Sequence, residues 1–90
     1  MINEIGTPAM LEQTAEESVE FAKACLKLAR LMRGENPTPK TYKECREELI
    51  EEYSDVIQCA RELELKPDEL QIAAKAERFK ERWEEHLCNG

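Results

Sequence analysis

Apolar residues recur every three or four positions through most of the chain, which is the period of an amphipathic α-helix. The pattern breaks at Gly34 and the prolines that follow it, and again around Pro67. These breaks predict three long helices at about residues 8–33, 41–64 and 67–87. No stretch shows the two-residue alternation of a half-buried strand. We therefore predict an all-α fold in a single domain that spans residues 1–90.

The predicted helix ends carry local signals. Thr7 followed by Pro8 is typical of an N-cap with proline in the first turn. Gly34 is typical of a residue that ends a helix, because glycine adopts the left-handed conformation at little cost. Thr41 with Glu44 three residues later forms the pattern of a capping box, which predicts the start of the second helix.

The apolar surface of the first helix is wider than a single three-helix bundle needs to bury. One stripe contains Leu11, Ala15, Val19, Ala22, Leu26 and Ala29. A second group widens it and contains Phe21, Ala24, Cys25, Leu28, Leu31 and Met32. The third helix adds Ile72, Ala76, Phe79 and Trp83. Excess apolar surface on a short chain favours a partner, and a second copy of the chain is the simplest one. We expect three long helices whose bundle is completed by homo-oligomerisation.

Acidic residues border these apolar surfaces at matching places on the first two helices. Glu17 and Glu20 are three residues apart on the first helix, and Glu52 and Asp55 have the same spacing on the second. Residues three apart lie on one face of a helix. Placing carboxylates at an apolar margin is costly unless a cation compensates their charge.

The nature of that cation is open at this point. The nearby basic residues Lys23, Lys27 and Arg46 are predicted on other helix faces. A divalent cation such as Mg²⁺, which prefers oxygen ligands, fits two carboxylate pairs on adjacent helices. A solvated acidic face fits the same spacing, because acidic residues number 20 of 90.

Composition excludes several other classes. The net charge of −7 argues against a duplex nucleic-acid binder, and no apolar run approaches the length of a membrane span. The four cysteines form no CxxC pair and there is one histidine, so zinc and di-iron spacings are lacking. Neither a phosphate-binding loop nor a dinucleotide fingerprint is present. With no secretory signal pattern and free cysteines expected, we predict a cytoplasmic protein.

The stretches "EESVE" at 16–20 and "EEYSD" at 51–55 resemble the EExxE…ExxD signature of the MazG-like nucleotide pyrophosphohydrolases. The resemblance covers most of the chain, including the break "ELELKPDEL" and the basic last helix "AAKAERFKERW". It implies an all-α, dimeric or tetrameric enzyme that requires Mg²⁺. Such an enzyme cleaves nucleoside triphosphates between the α- and β-phosphates, giving a monophosphate and pyrophosphate.

The resemblance also implies roles for individual residues. The metal ligands it implies are Glu17, Glu20, Glu52 and Asp55, and the phosphate contacts are Lys75 and Arg78. An outer carboxylate, Glu16 or Glu48, is the candidate acceptor of a proton from the attacking water. Two departures from the family pattern are a longer spacer between the carboxylate pairs and Glu77 near the place of a frequent asparagine.

Two alternatives remain. A phosphoribosyl-ATP pyrophosphohydrolase is similar in fold and carboxylate pattern, although Gln58 stands near the place where that family usually carries a histidine. A non-catalytic helical oligomerisation or adaptor module also fits the apolar surface. The two classes differ in whether Glu17 and Glu52 tolerate substitution and whether Mg²⁺ has a specific effect.

Overall fold

The computed structural model describes residues 1–35 and 39–89, and these residues form helices without strands. The helices are α1 (Ile2–Ile5), α2 (Thr7–Arg33), α3 (Tyr42–Glu62) and α4 (Glu69–Asn89). The prediction of an all-α fold is confirmed for this part of the chain. The long helices lie within a few residues of the expected bounds, whereas the short α1 was not expected.

The helix ends follow the local signals with one shift. Gly6 is the N-cap of α2, so Thr7 is its first residue and the prediction of Thr7 as the cap is wrong by one position. Gly6 takes this place because its φ of 89° is costly for residues with a Cβ. Thr41 and Glu44 form the expected capping box, since the side chain of each accepts a hydrogen bond from the other's backbone N–H.

Two helices end in the same way with different residues. At the end of α2 the N–H groups of Gly34 and Glu35 donate to the carbonyls of Leu31 and Arg30, with Gly34 at φ 69°. This is the Schellman motif, which satisfies carbonyls that the helix leaves free. At the end of α3 the N–H groups of Glu64 and Leu65 repeat the pattern, with Glu64 at φ 56°.

Helices α2 and α3 pack as an antiparallel hairpin. The rings of Phe21 and Tyr53 are in tilted contact, with their centroids 5.5 Å apart. Closer to the segment that connects α2 to α3, Lys27 forms an ion pair with Glu48. Among the described residues the buried ones are few: Met10, Ala24, Leu28, Cys45 and Cys59. At the other end of the hairpin, the backbone N–H of Ile2 donates to the carboxylate of Glu62 at 3.2 Å, which ties α1 to α3.

Helix α4 does not pack on this hairpin, and every described residue from 64 onward is exposed. The radius of gyration is 17.1 Å, whereas a compact chain of this length has about 12 Å. The accessible surface is 7474 Å², whereas a compact monomer of this mass exposes roughly 5,400 Å². The protomer therefore leaves roughly 2,000 Å² more surface uncovered than a compact monomer does.

No helix among the described residues has the length and apolar character needed to cross a membrane.

Candidate metal centre

Three carboxylates converge in the middle of the α2–α3 hairpin. Glu17 comes from α2, and Glu52 and Asp55 come from α3, where they lie one turn apart. One carboxylate oxygen from each lies within 4.8 Å of the other two. Glu17 and Glu52 are half-buried and Asp55 is exposed, so the cluster opens to solvent on one side.

The electrostatics of the cluster centre on Glu52. Burial raises the pKa of its carboxyl, and the neighbouring carboxylates of Asp55, Glu17 and Glu20 raise it further. The charged form of Glu52 is therefore disfavoured both by lost hydration and by repulsion. A cation held between these side chains relieves both effects.

Glu20, the fourth expected ligand, lies outside the set of three. It is near enough to raise the pKa of Glu52, but its carboxylate pairs with Lys23 Nζ at 3.3 Å. The expectation that Lys23 points away from the carboxylates is therefore wrong. The long, flexible side chain of Lys23 reaches Glu20, three residues earlier on the same helix. A projection of the Cα positions on a helical wheel does not reveal this contact.

Glu48, one turn before Glu52, is held in a different environment. Lys27 Nζ and Lys40 Nζ each donate to it at 2.9 Å, one to each carboxylate oxygen. These hydrogen bonds, with that from Lys40 the stronger cause, lower the pKa of Glu48. Lys27 therefore faces α3, contrary to the expectation that it lies on another face. Glu48 is a weaker proton acceptor for this reason.

The remaining predicted residues are not brought to the cluster within one protomer. Glu16 is exposed and has no hydrogen bond or ion pair within residues 1–35 and 39–89. Lys75 and Arg78 are exposed on α4, which stands clear of the hairpin. Their predicted contacts with phosphates stay predictions.

The sequence assigns no role to two neighbours of the cluster, Gln13 and Cys59. The side-chain amide of Gln13 donates to Glu17 at 2.9 Å, and the four-residue spacing on a helix is a signal that predicts this contact. Cys59 is buried beside the cluster, and burial, followed by the charge of Glu17, raises the pKa of its thiol. The thiol is a small apolar neighbour of the carboxylates rather than a ligand of the set.

The donor set fits a hard divalent cation. All three donors are carboxylate oxygens, which Mg²⁺ and Ca²⁺ prefer, and the open side leaves room for water ligands. Oxygens that share one Mg²⁺ lie up to about 4.2 Å apart, so small side-chain rotations would bring the three within reach of one ion. The arrangement also suits the binding of a phosphate through that ion. Comparison of the chain with family models, with curated proteins and with solved structures gave no match.

Proposed function

We propose that this protein is a homo-oligomeric, Mg²⁺-dependent nucleotide pyrophosphohydrolase. Its reaction cleaves a nucleoside triphosphate between the α- and β-phosphates and releases a monophosphate and pyrophosphate. The observation that carries the proposal is the convergence of Glu17, Glu52 and Asp55 within 4.8 Å, from two helices. The likeness of "EESVE" and "EEYSD" to the MazG-like signature supports the same chemistry.

The chain's own residues have distinct tasks in this proposal. Glu17, Glu52 and Asp55 hold the metal, and Glu20 adds negative charge at the margin of the site. Bound Mg²⁺ supplies charge neutralisation at the phosphate oxygens and a site for the attacking water. Burial and the neighbouring carboxylates raise the pKa of Glu52, so binding of the metal would be coupled to loss of a proton from this carboxyl.

A proton acceptor for the attacking water is still required. Glu48 is stabilised as an anion by Lys27 and Lys40, which weakens it as a base. Glu16 has no such partner in the described part of the chain. Because Glu16 is not brought to the cluster within the described chain, its role as proton acceptor stays a prediction, and we propose only a positioning role for Glu48.

Self-association and compartment belong to the same proposal. The roughly 2,000 Å² of surface beyond that of a compact monomer is in the range that a protomer buries in an obligate homodimer. The four free cysteines are typical of a reducing compartment such as the cytoplasm.

A non-catalytic oligomerisation module is the second candidate, and the full exposure of α4 favours it. It shares the self-association and lacks the chemistry. Under this alternative the carboxylates form a solvated acidic cluster that binds no specific ion.

The deciding experiment is pyrophosphate release from a panel of canonical and modified nucleoside triphosphates, with and without Mg²⁺. Glu52→Gln is compared with Glu47→Gln, which changes an exposed glutamate on the same helix whose ion pair, among the described residues, is with Lys43. We expect turnover that requires both Mg²⁺ and Glu52 and survives at Glu47→Gln. Equal thermal shifts with Mg²⁺, Ca²⁺ and Na⁺ at one ionic strength, together with a blank panel, would establish the non-catalytic alternative.

A further inference from the structure

Helix α2 has a second apolar face that the described residues leave uncovered. Leu11, Val19 and Leu26 are each more than half exposed, at 53 %, 53 % and 55 %. The exposed Ala15 and Ala22 lie between them, so the positions follow the four- and three-residue spacing of a helix-packing seam. We call this row of residues the α2 seam. At 100° per residue it lies on the side of α2 opposite Ala24, and Ala24 faces α3.

Helix α4 carries a matching unpartnered seam. It consists of Ile72, Ala76, Phe79, Trp83 and Leu87, again at four- and three-residue spacing. Phe79 is 71 % exposed and Trp83 is 56 % exposed. Two large aromatic side chains in water on one helix face are unusual for an isolated monomer.

The two seams differ in the size of their side chains. The α2 seam alternates small and medium residues, with Ala15 and Ala22 leaving gaps. The α4 seam presents Phe79 and Trp83, which are large enough to fill such gaps. Large residues that face small ones give the interdigitated packing of a stable helix interface.

The connection from α3 to α4 directs α4 away from its own hairpin. The Schellman hydrogen bonds of Glu64 and Leu65 fix the end of α3, and Pro67 restricts the backbone before α4. The α2 seam lies on the far side of α2 from α3. Residues 63–68 are therefore a poor route for α4 to reach the seam of its own chain.

Charge favours one orientation of the two seams. Lys75, Arg78 and Arg82 form a basic row along one flank of the α4 seam. Glu12 and Glu16 form a short acidic row along the opposite-handed flank of the α2 seam, and Glu20 beyond them is paired with Lys23. Because opposite flanks meet when two helices pack in parallel, a parallel arrangement places the basic row against the acidic row.

We propose that two copies of this chain exchange their α4 helices, each α4 seating on the α2 seam of the other copy. The exchange covers both seams on both copies, and it accounts for the surface that the single protomer leaves open. It also moves Lys75 and Arg78 to the flank of the other copy's α2 that carries Glu16 and Glu20, next to the face that holds Glu17. The phosphate-binding role of Lys75 and Arg78 in trans rests on the proposed function, whereas the exchange itself does not.

The exchange is tested by mixing two full-length variants. Leu26→Glu breaks the α2 seam and Phe79→Glu breaks the α4 seam, so each variant alone loses both interfaces. Each should self-associate more than ~100-fold more weakly than the unmodified chain, since an unpaired charge is buried. A 1:1 mixture retains one intact pair, α4 of the Leu26→Glu chain on α2 of the Phe79→Glu chain. We expect sedimentation of the mixture to recover a dimer, with blue-shifted emission from Trp83, the only tryptophan.

The matched control is Leu70→Glu, which changes an 84 % exposed leucine of α4 that lies off the seam. This variant should dimerise like the unmodified chain. If instead α2 packs on α2 and α4 packs on α4, the mixture should be as dissociated as either variant alone. That result would overturn the exchange. An unmodified chain that sediments as a monomer at high concentration also overturns it. Circular dichroism of each variant and of the mixture follows helix content, so complementation is seen even if the separate variants unfold.

The contribution in trans is read from turnover of the same mixture. Lys75→Ala with Arg78→Ala is placed either in the Leu26→Glu chain, which donates α4, or in the Phe79→Glu chain. Where sedimentation shows the same dimer fraction in both mixtures, we expect a loss of turnover at least about tenfold larger in the first case, since removal of one donor to a developing charge costs about 10²–10³-fold. Equal losses overturn the contribution in trans. Absence of turnover in the unmodified protein counts against the proposed function alone, because sedimentation still decides the exchange.

Discussion

Glu48 and Glu52 lie one helical turn apart on α3, but their carboxyl groups are perturbed in opposite directions. Glu48 accepts hydrogen bonds from Lys40 and Lys27, which lower its pKa. Glu52 is desolvated by burial and faces the carboxylates of Asp55 and Glu17, which raises its pKa. Glu48 is thus paired with two lysines, whereas Glu52, one turn further along α3, faces other carboxylates.

Removing these two charges should change metal-free stability in opposite directions. Because the pKa of Glu52 is raised on folding, its protonated form stabilises the folded state. This stabilisation is complete below the ordinary pKa of glutamate and is lost as the pH rises through the pKa of Glu52 in the folded protein. Glu52→Gln should therefore raise Tm at neutral pH without metal. Because the pKa of Glu48 is lowered on folding, its charged form stabilises the folded state. This stabilisation is present above the ordinary pKa of glutamate and is lost as the pH falls through the pKa of Glu48 in the folded protein. Glu48→Gln should therefore lower Tm at neutral pH, and this difference should shrink under acid.

Thermal melts from acid to neutral pH in a chelating buffer measure both effects. Added salt is the control, because it screens the exposed lysine pairs and reduces the loss in Glu48→Gln. Two variants that shift Tm in the same direction at neutral pH would contradict the opposite roles of the two glutamates.

Binding of Mg²⁺ should be linked to protons through Glu52. Because the pKa of Glu52 is raised, the metal displaces a proton from the carboxyl, and affinity should fall as the pH falls through that value. Titration calorimetry in two buffers of different ionisation enthalpy measures the proton release. In Glu52→Gln the release should vanish, and in Asp55→Asn the rise of Tm with Mg²⁺ should be abolished. Binding without proton release over the acidic range would place the ion elsewhere.

The sequence predicted most of the helix ends because those signals are local. Thr41 and Glu44 need only each other to form a capping box, and Gly34 needs only its own backbone freedom. Glu64 adopts the same left-handed conformation as Gly34 but has no local signature. The break before Pro67 was predicted, but the left-handed conformation at Glu64 was visible only in the structure.

The sequence could not decide which apolar face of α2 is buried. The stripe from Leu11 to Ala29 was the most regular one, yet Leu11, Val19 and Leu26 are exposed and Met10 and Leu28 form the core. Both faces satisfy the helical period, and only long-range packing against α3 distinguishes them. The helix period predicted that Glu52 and Asp55 share a face of α3, whereas the register that brings Glu17 of α2 to them is set by the packing of α2 on α3.

Glycine at position 64 should stabilise the protein. A residue with a Cβ in the left-handed conformation is strained by about 1–2 kcal/mol, and part of the relief is lost to the greater chain entropy of glycine. We expect Glu64→Gly to increase the free energy of unfolding by about 0.5–1 kcal/mol, measured by urea denaturation. The reciprocal control is Gly34→Ala, at φ 69° with no atom of the described residues within 4 Å of an added Cβ. It should destabilise by about 1 kcal/mol from backbone strain alone, and a neutral result there would remove the basis of the prediction.

The small core should make the hairpin sensitive to a cavity at Met10. This side chain is completely buried, and Met→Ala at such a site costs about 2–5 kcal/mol. Met10→Ala should therefore remove a large part of the stability of a chain of this size, and its helix content at 37 °C should fall. Met32→Ala is the matched control, because Met32 is 67 % exposed and should change the free energy of unfolding by less than about 0.5 kcal/mol. A loss at Met10 no larger than at Met32 would contradict the assigned core.

The four cysteines should separate into two reactivity classes. Cys25 and Cys88 are exposed, whereas Cys45 and Cys59 are buried. Burial and the charge of Glu17 raise the pKa of the Cys59 thiol, which reduces its reactive thiolate. Modification of Cys45 or Cys59 needs local opening of the hairpin, so both should react with iodoacetamide about tenfold or more slowly than the exposed pair. Mass spectrometry of a time course resolves each site, with the urea-unfolded chain as the control in which all four react. Fast labelling of Cys59 in the folded protein would show that the hairpin opens beside the carboxylate cluster, which would remove the rigid frame that a metal site requires.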